Sequence, residues 1–332
     1  MSRGGQRPCP AGAAAGLASE VARAVAREVA KVAARAAAPA VVLAAALTMT
    51  ISTISTISTA NAAPVTVRDD DGHLVTLPGP AQRVVALSPH LAELVFAAGA
   101  GPRLVGVMRF SDFPPEAAAL PVIGDAFAIN LEAVAALKPD LLLLWRSGIN
   151  PRQQQRLPAL GLPIYSNEIS SVEGIVDTLR RLGRLFGTEA SANAAAVATE
   201  SRWAALRGRY ADRPPVRVFY QLWNEPLMTV NRGHLIDQAI TACGGINVFA
   251  GQPNLTPTVS WEAAVAANPQ VVLTGSGPEA PARLEGWQRF KRVAAVQNGL
   301  VIALDGHRLA RMTPAFVDGA QALCETIDRA RR

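Results

Sequence analysis

The chain has 332 residues, half of them hydrophobic, 17% charged and 5% aromatic, with a formal net charge of +6 at pH 7. That length allows two domains on a prior of about 150 residues each, and that composition excludes a chain dominated by disorder. Most of the charge sits in residues 1–62, where Arg3, Arg7, Arg23, Arg27, Lys31 and Arg35 face only Glu20 and Glu28; without them Lys+Arg falls from 32 to 26 and Asp+Glu from 26 to 24. The remaining charge of about +2 forms no dense basic patch, which excludes nucleic acid as a partner.

Residues 1–62 read as an export leader. Basic residues come first, then the apolar run APAVVLAAALTMTI (38–51), then Ala60-Asn61-Ala62, a small-x-small cleavage site. The apolar part is shorter than the roughly 20 residues of a membrane span. Cleavage near Ala62 and a periplasmic mature chain are therefore expected rather than a membrane anchor. Next, VTVRDDDGHLVTL (65–77) predicts a β-hairpin turning at Asp71-Gly72. RVVAL (83–87) is a short strand, and Ser88-Pro89 supplies an N-cap and a first turn for a helix through HLAELVFAAGAG. LVGVM (104–108) is a strand. NLEAVAALKP is a helix capped by Asn130 and stopped by Pro139, and DLLLLW is a strand apolar on both faces. RQQQRLPALG and LPIYS continue the alternation with a helix and a strand.

Ser170, with Glu173 three residues on, reads as a capping box for the helix SVEGIVDTLRRLGRLFG. EASANAAAVATESRWAALRGRYA predicts a second, longer helix that ADRPP breaks. The alternation then restarts: a strand in VRVFYQLW, helices in HLIDQAITACGG and SWEAAVAANP, strands in QVVLTG and LVIALD, and a terminal helix in TPAFVDGAQALCETIDRAR. The expected fold is α/β, with two lobes each holding a mainly parallel sheet flanked by helices and joined by one long α-helix. The boundaries are a leader at 1–62, a first lobe at 63–187, an interlobe helix at 188–212 and a second lobe at 213–332. One phrase occurs twice. NLEAVAALKPDLLLLW (130–145) and SWEAAVAANPQVVLTG (260–275) align Glu132 with Glu262 and Pro139 with Pro269. The repeat marks two similarly built halves.

Two exported α/β lobes suit either ligand binding in the interlobe cleft or hydrolysis there. The chain has no G-x-S-x-G, no G-x-G-x-x-G after a strand and no Walker-type loop. Its four histidines, His73, His90, His234 and His307, show no H-x-x-x-H or H-E-x-x-H spacing. No catalytic residue, metal or resident cofactor is expected. His73 reads as exposed, His234 as structural, His90 as a solvated residue near a strand end, and His307 as a cleft-loop candidate. Zinc binding or exported enzyme chemistry through His90, His307 and Asp305 is the competing class. Phe110, Phe113, Phe127, Trp145 and Trp223 follow strands, where flat apolar walls suit a large, semi-polar ligand. Cys9 leaves with the leader, and Cys243 and Cys324 are an even pair for which a disulfide is expected in an oxidising compartment.

RVVALSPHLAELVFAAGAG, VGVMRFSDFPP and NLEAVAALKPDLLLLWRSG, continued by YADRPPVRVFYQ, ACGGINVF, SWEAAVAANPQVVLTG and GAQALCETI, resemble the periplasmic substrate-binding proteins for cobalamin and ferric siderophores, and most of all their cobalamin-binding members. The resemblance covers nearly all of residues 82–330. It implies a monomer with a stiff interlobe helix, a cobalamin-like corrinoid in the cleft, and delivery to the permease of an ABC importer, with haem or a ferric siderophore as the alternative cargo. It further implies that Glu132 and Glu262 dock on the permease and that Cys243 and Cys324 pair within the second lobe. Phe110 and Trp145 match ligand-contacting aromatics, and His307–Arg311 matches the ligand loop of the second lobe. Where the cobalamin binders carry aromatics, this chain has Ala126 beside Phe127, Thr256 and Met228; where they carry an aspartate it has His307, with Asp305 two residues earlier. The implied ligand set is Phe110, Phe127, Trp145, Trp223, Met228, Thr256, Asp305, His307 and Arg311.

Overall fold

The apolar run Leu141–Trp145 has four buried leucines, and it sits where such a run belongs, inside a parallel sheet covered on both faces. This computed structural model describes residues 63–277 and 279–332. The leader read at 1–62, with its cleavage site, lies outside the described residues, as does the side chain of His307. The hairpin forms as expected, β1 (Val65–Arg68) pairing antiparallel with β2 (Leu74–Leu77). Then come β3 (Val84–Ala86), α1 (Pro89–Ala97), β4 (Leu104–Val107), α2 (Leu131–Ala136), β5 (Leu141–Trp145) and β6 (Ile164–Asn167). Two helices follow, α3 (Val172–Phe186) and α4 (Glu189–Tyr210). The second half has β7 (Val216–Gln221), α5 (Leu235–Ala242), β8 (Gly245–Asn247), α6 (Trp261–Ala266), β9 (Val271–Gly275), β10 (Val301–Leu304) and α7 (Phe316–Arg329).

Each half forms a four-stranded sheet, in the order β4-β3-β5-β6 and β8-β7-β9-β10, with every pairing parallel. The two orders are the same once β3 is matched to β7. In such a sheet the chain departs first to one side of the starting strand and then to the other, which opens a crevice at the strands' carboxyl ends. One buried cluster, from Val85 to Leu157, belongs to the first lobe, and another, from Phe219 to Ala295, to the second. A larger cluster runs across both lobes and α3–α4.

α4 spans 22 residues, about 33 Å at 1.5 Å per residue. Its buried positions, Ala192, Ala196, Thr199, Trp203, Leu206 and Tyr210, recur every three or four residues, so one stripe packs inward and the rest is solvated. α3 packs closely on it: a Cβ built on Gly183 would lie 2.5 Å from that of Ala192. Gly187, at φ 61°, ends α3 in the left-handed conformation that glycine adopts readily. The Gln238 side chain of α5 reaches back across the lobes. Its Oε1 accepts from Val172 N and its Nε2 donates to Glu173 Oε2, each at 2.9 Å. The disulfide expected from the cysteine count is present: Cys243, at the end of α5, is bonded to Cys324 of α7, 81 residues away.

Local chemistry differs from the sequence reading at three points. Ser171, not Ser170, caps α3, its hydroxyl accepting from Gly174 N. Glu173 therefore falls one position short of a capping box and binds Gln238 instead. Ser88 makes no cap bond, because its hydroxyl turns to His90.

The repeated phrase is a repeated structure. Asn130 and Ser260 cap α2 and α6 by accepting from Ala133 N and Ala263 N. Lys138 and Asn268, each just before the matched proline, take positive φ of 46° and 40°. An arginine at the start of β3 or β7 clamps each helix end: Arg83, just before β3, donates from Nε to Leu137 O at 3.0 Å, and Arg217 of β7 from Nε to Ala267 O at 3.1 Å. The negative end of each helix thus meets a guanidinium. The backbone N–H of each arginine is taken by the residue after the proline, Asp140 or Gln270.

Candidate functional site

At the carboxyl ends of β3, β4 and β5 lies a cavity of about 360 Å³. Leu87, Met108 and Ile149 form its floor, and Phe110, Phe127 and Trp145 its aromatic rim. Each aromatic is placed by local backbone chemistry. Phe110 sits at φ 68°, in the left-handed region that non-glycine residues seldom adopt, and its ring is 73% exposed. Asp125 Oδ1 accepts from the backbone N–H groups of Phe127 and Ala128, and this turn holds Phe127 outward, 83% exposed. Trp145 lies over Gly148, where an added Cβ would fall 1.8 Å from the indole.

Behind Trp145 is a buried polar chain. Arg181 Nη2 is 2.6 Å from Asp70 Oδ1, and Asn167 Nδ2 donates to Asp70 Oδ2 at 2.9 Å and to Thr178 Oγ1 at 3.2 Å. Asn167 Oδ1 is then the acceptor that faces His90 Nε2 at 3.4 Å. His90 thus carries its hydrogen on Nε2, and Nδ1 accepts from the Ser88 hydroxyl at 2.6 Å. Burial lowers the His90 pKa to about 4, so the ring is neutral, and its edge meets Trp145 with centroids 5.1 Å apart. The solvated His90 expected from the sequence is corrected: it is 3% exposed, because α1 is enclosed on almost every side. Both ring nitrogens are engaged, so neither is available to a metal or to an acid–base step. His234, as expected, is structural: its Nδ1 caps α5 by accepting from Ile236 N.

A second cavity, of about 380 Å³, joins the lobes and is lined by charge. Asp305, Arg308 and Arg311 come from the segment after β10, and Glu93 and Asp112 from the first lobe. Arg311 Nη1 bonds Glu93 Oε1, and its Nη2 is 2.9 Å from Asp112 Oδ1. Glu93 is 5% exposed. Arg308 lies 3.6 Å from Asp305 and 3.9 Å from Asp318, and Asp318 also bonds Arg202 of α4. At the end of β9 a Cβ on Gly306 would lie 2.8 Å from Gly275 Cα, so backbone approaches backbone where the first lobe has its tryptophan.

Of the sequence candidates, Phe110, Phe127 and Trp145 share the first cavity, and Asp305 and Arg311 the second. Trp223, Met228 and Thr256 line neither. Trp223 and Met228 face each other in a bridged turn, and Arg283 stands 5.9 Å over the Trp223 ring. Glu132 and Glu262 are exposed in the first turns of α2 and α6. The backbone N–H of Glu262 and the Ser260 hydroxyl lower the Glu262 pKa and keep it ionised. Arg308 lies inside the His307–Arg311 loop that the resemblance marked, whereas Glu93, Asp112 and Asp318 were missed, and no local sequence signal points to them. One group with metal-ligating potential appears among the described residues, Asp69, Asp71 and His73 in the hairpin turn, away from both cavities. Among the described residues no helix is long and apolar enough to cross a membrane.

Residues 84–307 match the family model described as periplasmic binding protein. The vitamin B12-binding protein of Vibrio cholerae is 35% identical over 260 residues, 78% of this chain and 94% of that one. That of Salmonella typhimurium is 36% identical over 260 residues, covering 77% and 95%. Among solved structures, the periplasmic vitamin B12 binding protein of Vibrio cholerae superposes with a TM-score of 0.70 at 35% identity, over 76% of this chain and 99% of that one. A periplasmic heme-binding protein from Roseiflexus gives 0.66 at 25% identity, over 75% and 99%.

Proposed function

The chain belongs to the periplasmic binding proteins, and we propose that within this family it captures a corrinoid of the cobalamin type in its interlobe cleft and hands it to the permease of an ABC importer. The observation that carries this reading is the pairing of two unlike cavities. Phe110, Phe127 and Trp145 offer flat apolar contact to a macrocycle, while Asp305, Arg308 and Arg311 face the hydrogen-bonding groups of its rim. α4, packed along its length, holds the lobes in one relation, which limits the ordering cost of binding.

Haem, the alternative cargo, asks for an axial ligand on iron. Among the described side chains the three tyrosines are all buried and both nitrogens of His90 are occupied, so an axial ligand from the cleft loop would have to be His307, and His307→Ala should then abolish any haemin binding. Residues 1–62 serve as the leader that brings the chain to the periplasm, and mass spectrometry of the mature protein should find Ala63 at its N-terminus.

Glu132 and Glu262 serve as the two docking points. Both begin helices that return to their sheets, so both stand at the edge where the strands end, as the cleft does. Exposed ion pairs contribute about 0–1 kcal/mol each, so they orient and steer the encounter more than they tighten it. Calorimetry should show one-to-one binding of cyanocobalamin to the mature chain and none of haemin; the reverse would sink the corrinoid reading. Glu132→Lys with Glu262→Lys should abolish vitamin uptake into permease vesicles while calorimetry is unchanged. Lost ligand affinity in that variant would refute the docking role.

A further inference from the structure

The charges along the two cavities do not cancel. Arg109 belongs to the first, where its Nε is 3.9 Å from Asp125 Oδ2. Arg308 and Arg311 belong to the second, each already within 4 Å of two carboxylates. Among the described lining residues, three guanidiniums (109, 308, 311) face five carboxylates (93, 112, 125, 305, 318), and Arg202 of α4, bonded to Asp318, brings the guanidiniums to four. We propose that the cleft selects its cargo by charge: it takes a macrocycle whose rim carries uncharged primary amides and turns away one whose rim carries carboxylates. This rests on the corrinoid reading above and narrows it.

The physical basis is the difference between donors and acceptors. An ionised carboxylate has about four lone-pair sites, so Asp305 beside Arg308, and Asp318 between Arg202 and Arg308, can accept an amide N–H as well as their arginine contacts. A carboxylate on the ligand brings those oxygens no hydrogen and adds like charge. The spare N–H groups of Arg308 and Arg311 could still reach it, but each of these guanidiniums already lies between two carboxylates, so full charge pairing would require an arginine to leave its partners. Arg311 is the least able to leave, because its departure would strand Glu93, a buried anion, without a counter-charge. The second lobe therefore offers arginines in sequence that the fold has already committed.

The test compares two corrinoid rings in calorimetry with the mature protein at pH 7.5. Cobinamide carries amides around its rim, and cobyrinic acid carries carboxylates there. The amide ring should bind at least about 30-fold more tightly, and the gap should narrow as salt rises to about 0.5 M. Asp305→Asn, at an exposed position, removes one of the five carboxylates and leaves Arg308 with Asp318 alone, and should narrow the gap at least about threefold. Equal binding of both rings by the unmodified chain would overturn charge selection while leaving the corrinoid reading intact. A gap that Asp305→Asn leaves unchanged would remove these carboxylates as its cause. Haemin binding with neither ring bound would overturn the corrinoid reading, and charge selection with it.

Discussion

The two lobes are built alike and furnished differently. They share strand order, the capped short helix, the left-handed residue before the proline and the arginine clamp. They diverge at the last residues of the matched strand. β5 ends in Trp145, held over Gly148 beside an aromatic-rimmed cavity; β9 ends in Gly275, against the backbone of Gly306. The scaffold is thus set by groups that satisfy backbone hydrogen bonds, and the character of each wall by a few side chains past the strand ends. One fold can keep two corners alike while giving the cleft two unlike walls.

The largest expected break in the likeness is the disulfide, which the first lobe lacks. It closes a loop of 81 residues, for which chain-entropy reasoning gives about 4–5 kcal/mol. Cys243→Ala with Cys324→Ala should lower the melting temperature strongly. Hydrogen exchange should show the loss in α5 and α7 before α1. Uniform loss would mean that the lobes unfold as one unit.

Acid should strike both lobes together. Burial lowers the pKa of His90 in the first lobe and His234 in the second, each to about 4. In the unfolded chain each takes up its proton near 6.5. Between those values the unfolded state binds more protons, so stability falls as pH drops from about 6.5 to about 4 and is flat above. The full loss is about 3 kcal/mol per histidine. His234→Asn keeps a good capping side chain but does not titrate, so urea midpoints should show a shallower acid slope. An unchanged slope would remove His234 from the account.

Smaller effects test the walls and the clamps. Gly148→Ala forces the indole of Trp145 to move and should weaken cyanocobalamin binding about tenfold. Gly306→Ala should instead act through stability, because there the close neighbour is backbone. Arg83→Ala and Arg217→Ala should each cost about 1 kcal/mol in denaturant unfolding, and equally if the clamps are equivalent.

Much of the scaffold was legible because it is written locally. Apolar runs marked β5 and β9, Asn130 and Ser260 marked helix starts, and the repeated phrase marked the two halves. β8 was not legible: it is three residues long, begins in glycine and pairs along one edge with Ile246 half exposed. The aromatic half of the cavity was readable from residues just past strands. Of the charged half, Asp305 and Arg311 came as ligand contacts only from the resemblance, and their first-lobe partner was unreadable, because Arg311 meets Glu93 across 218 residues and Glu93 sits in a mostly apolar helix. His90 was misread for the same reason: α1 has no polar face to show which of its residues are buried.

The chain crosses between its lobes once, through α4, and so delivers them in sequence order. A chain that emerges N-terminus first has every residue of one inner cluster, Val85 to Leu157, in hand before Thr188 appears. That core has no partner to wait for. Arg311 and Cys324 come from the last tenth of the molecule, so the bolt across the cleft and the covalent staple need the last residues of the chain, α7 among them, which also completes the second lobe's core. The cleft is therefore the last part of the molecule for which all the residues become available.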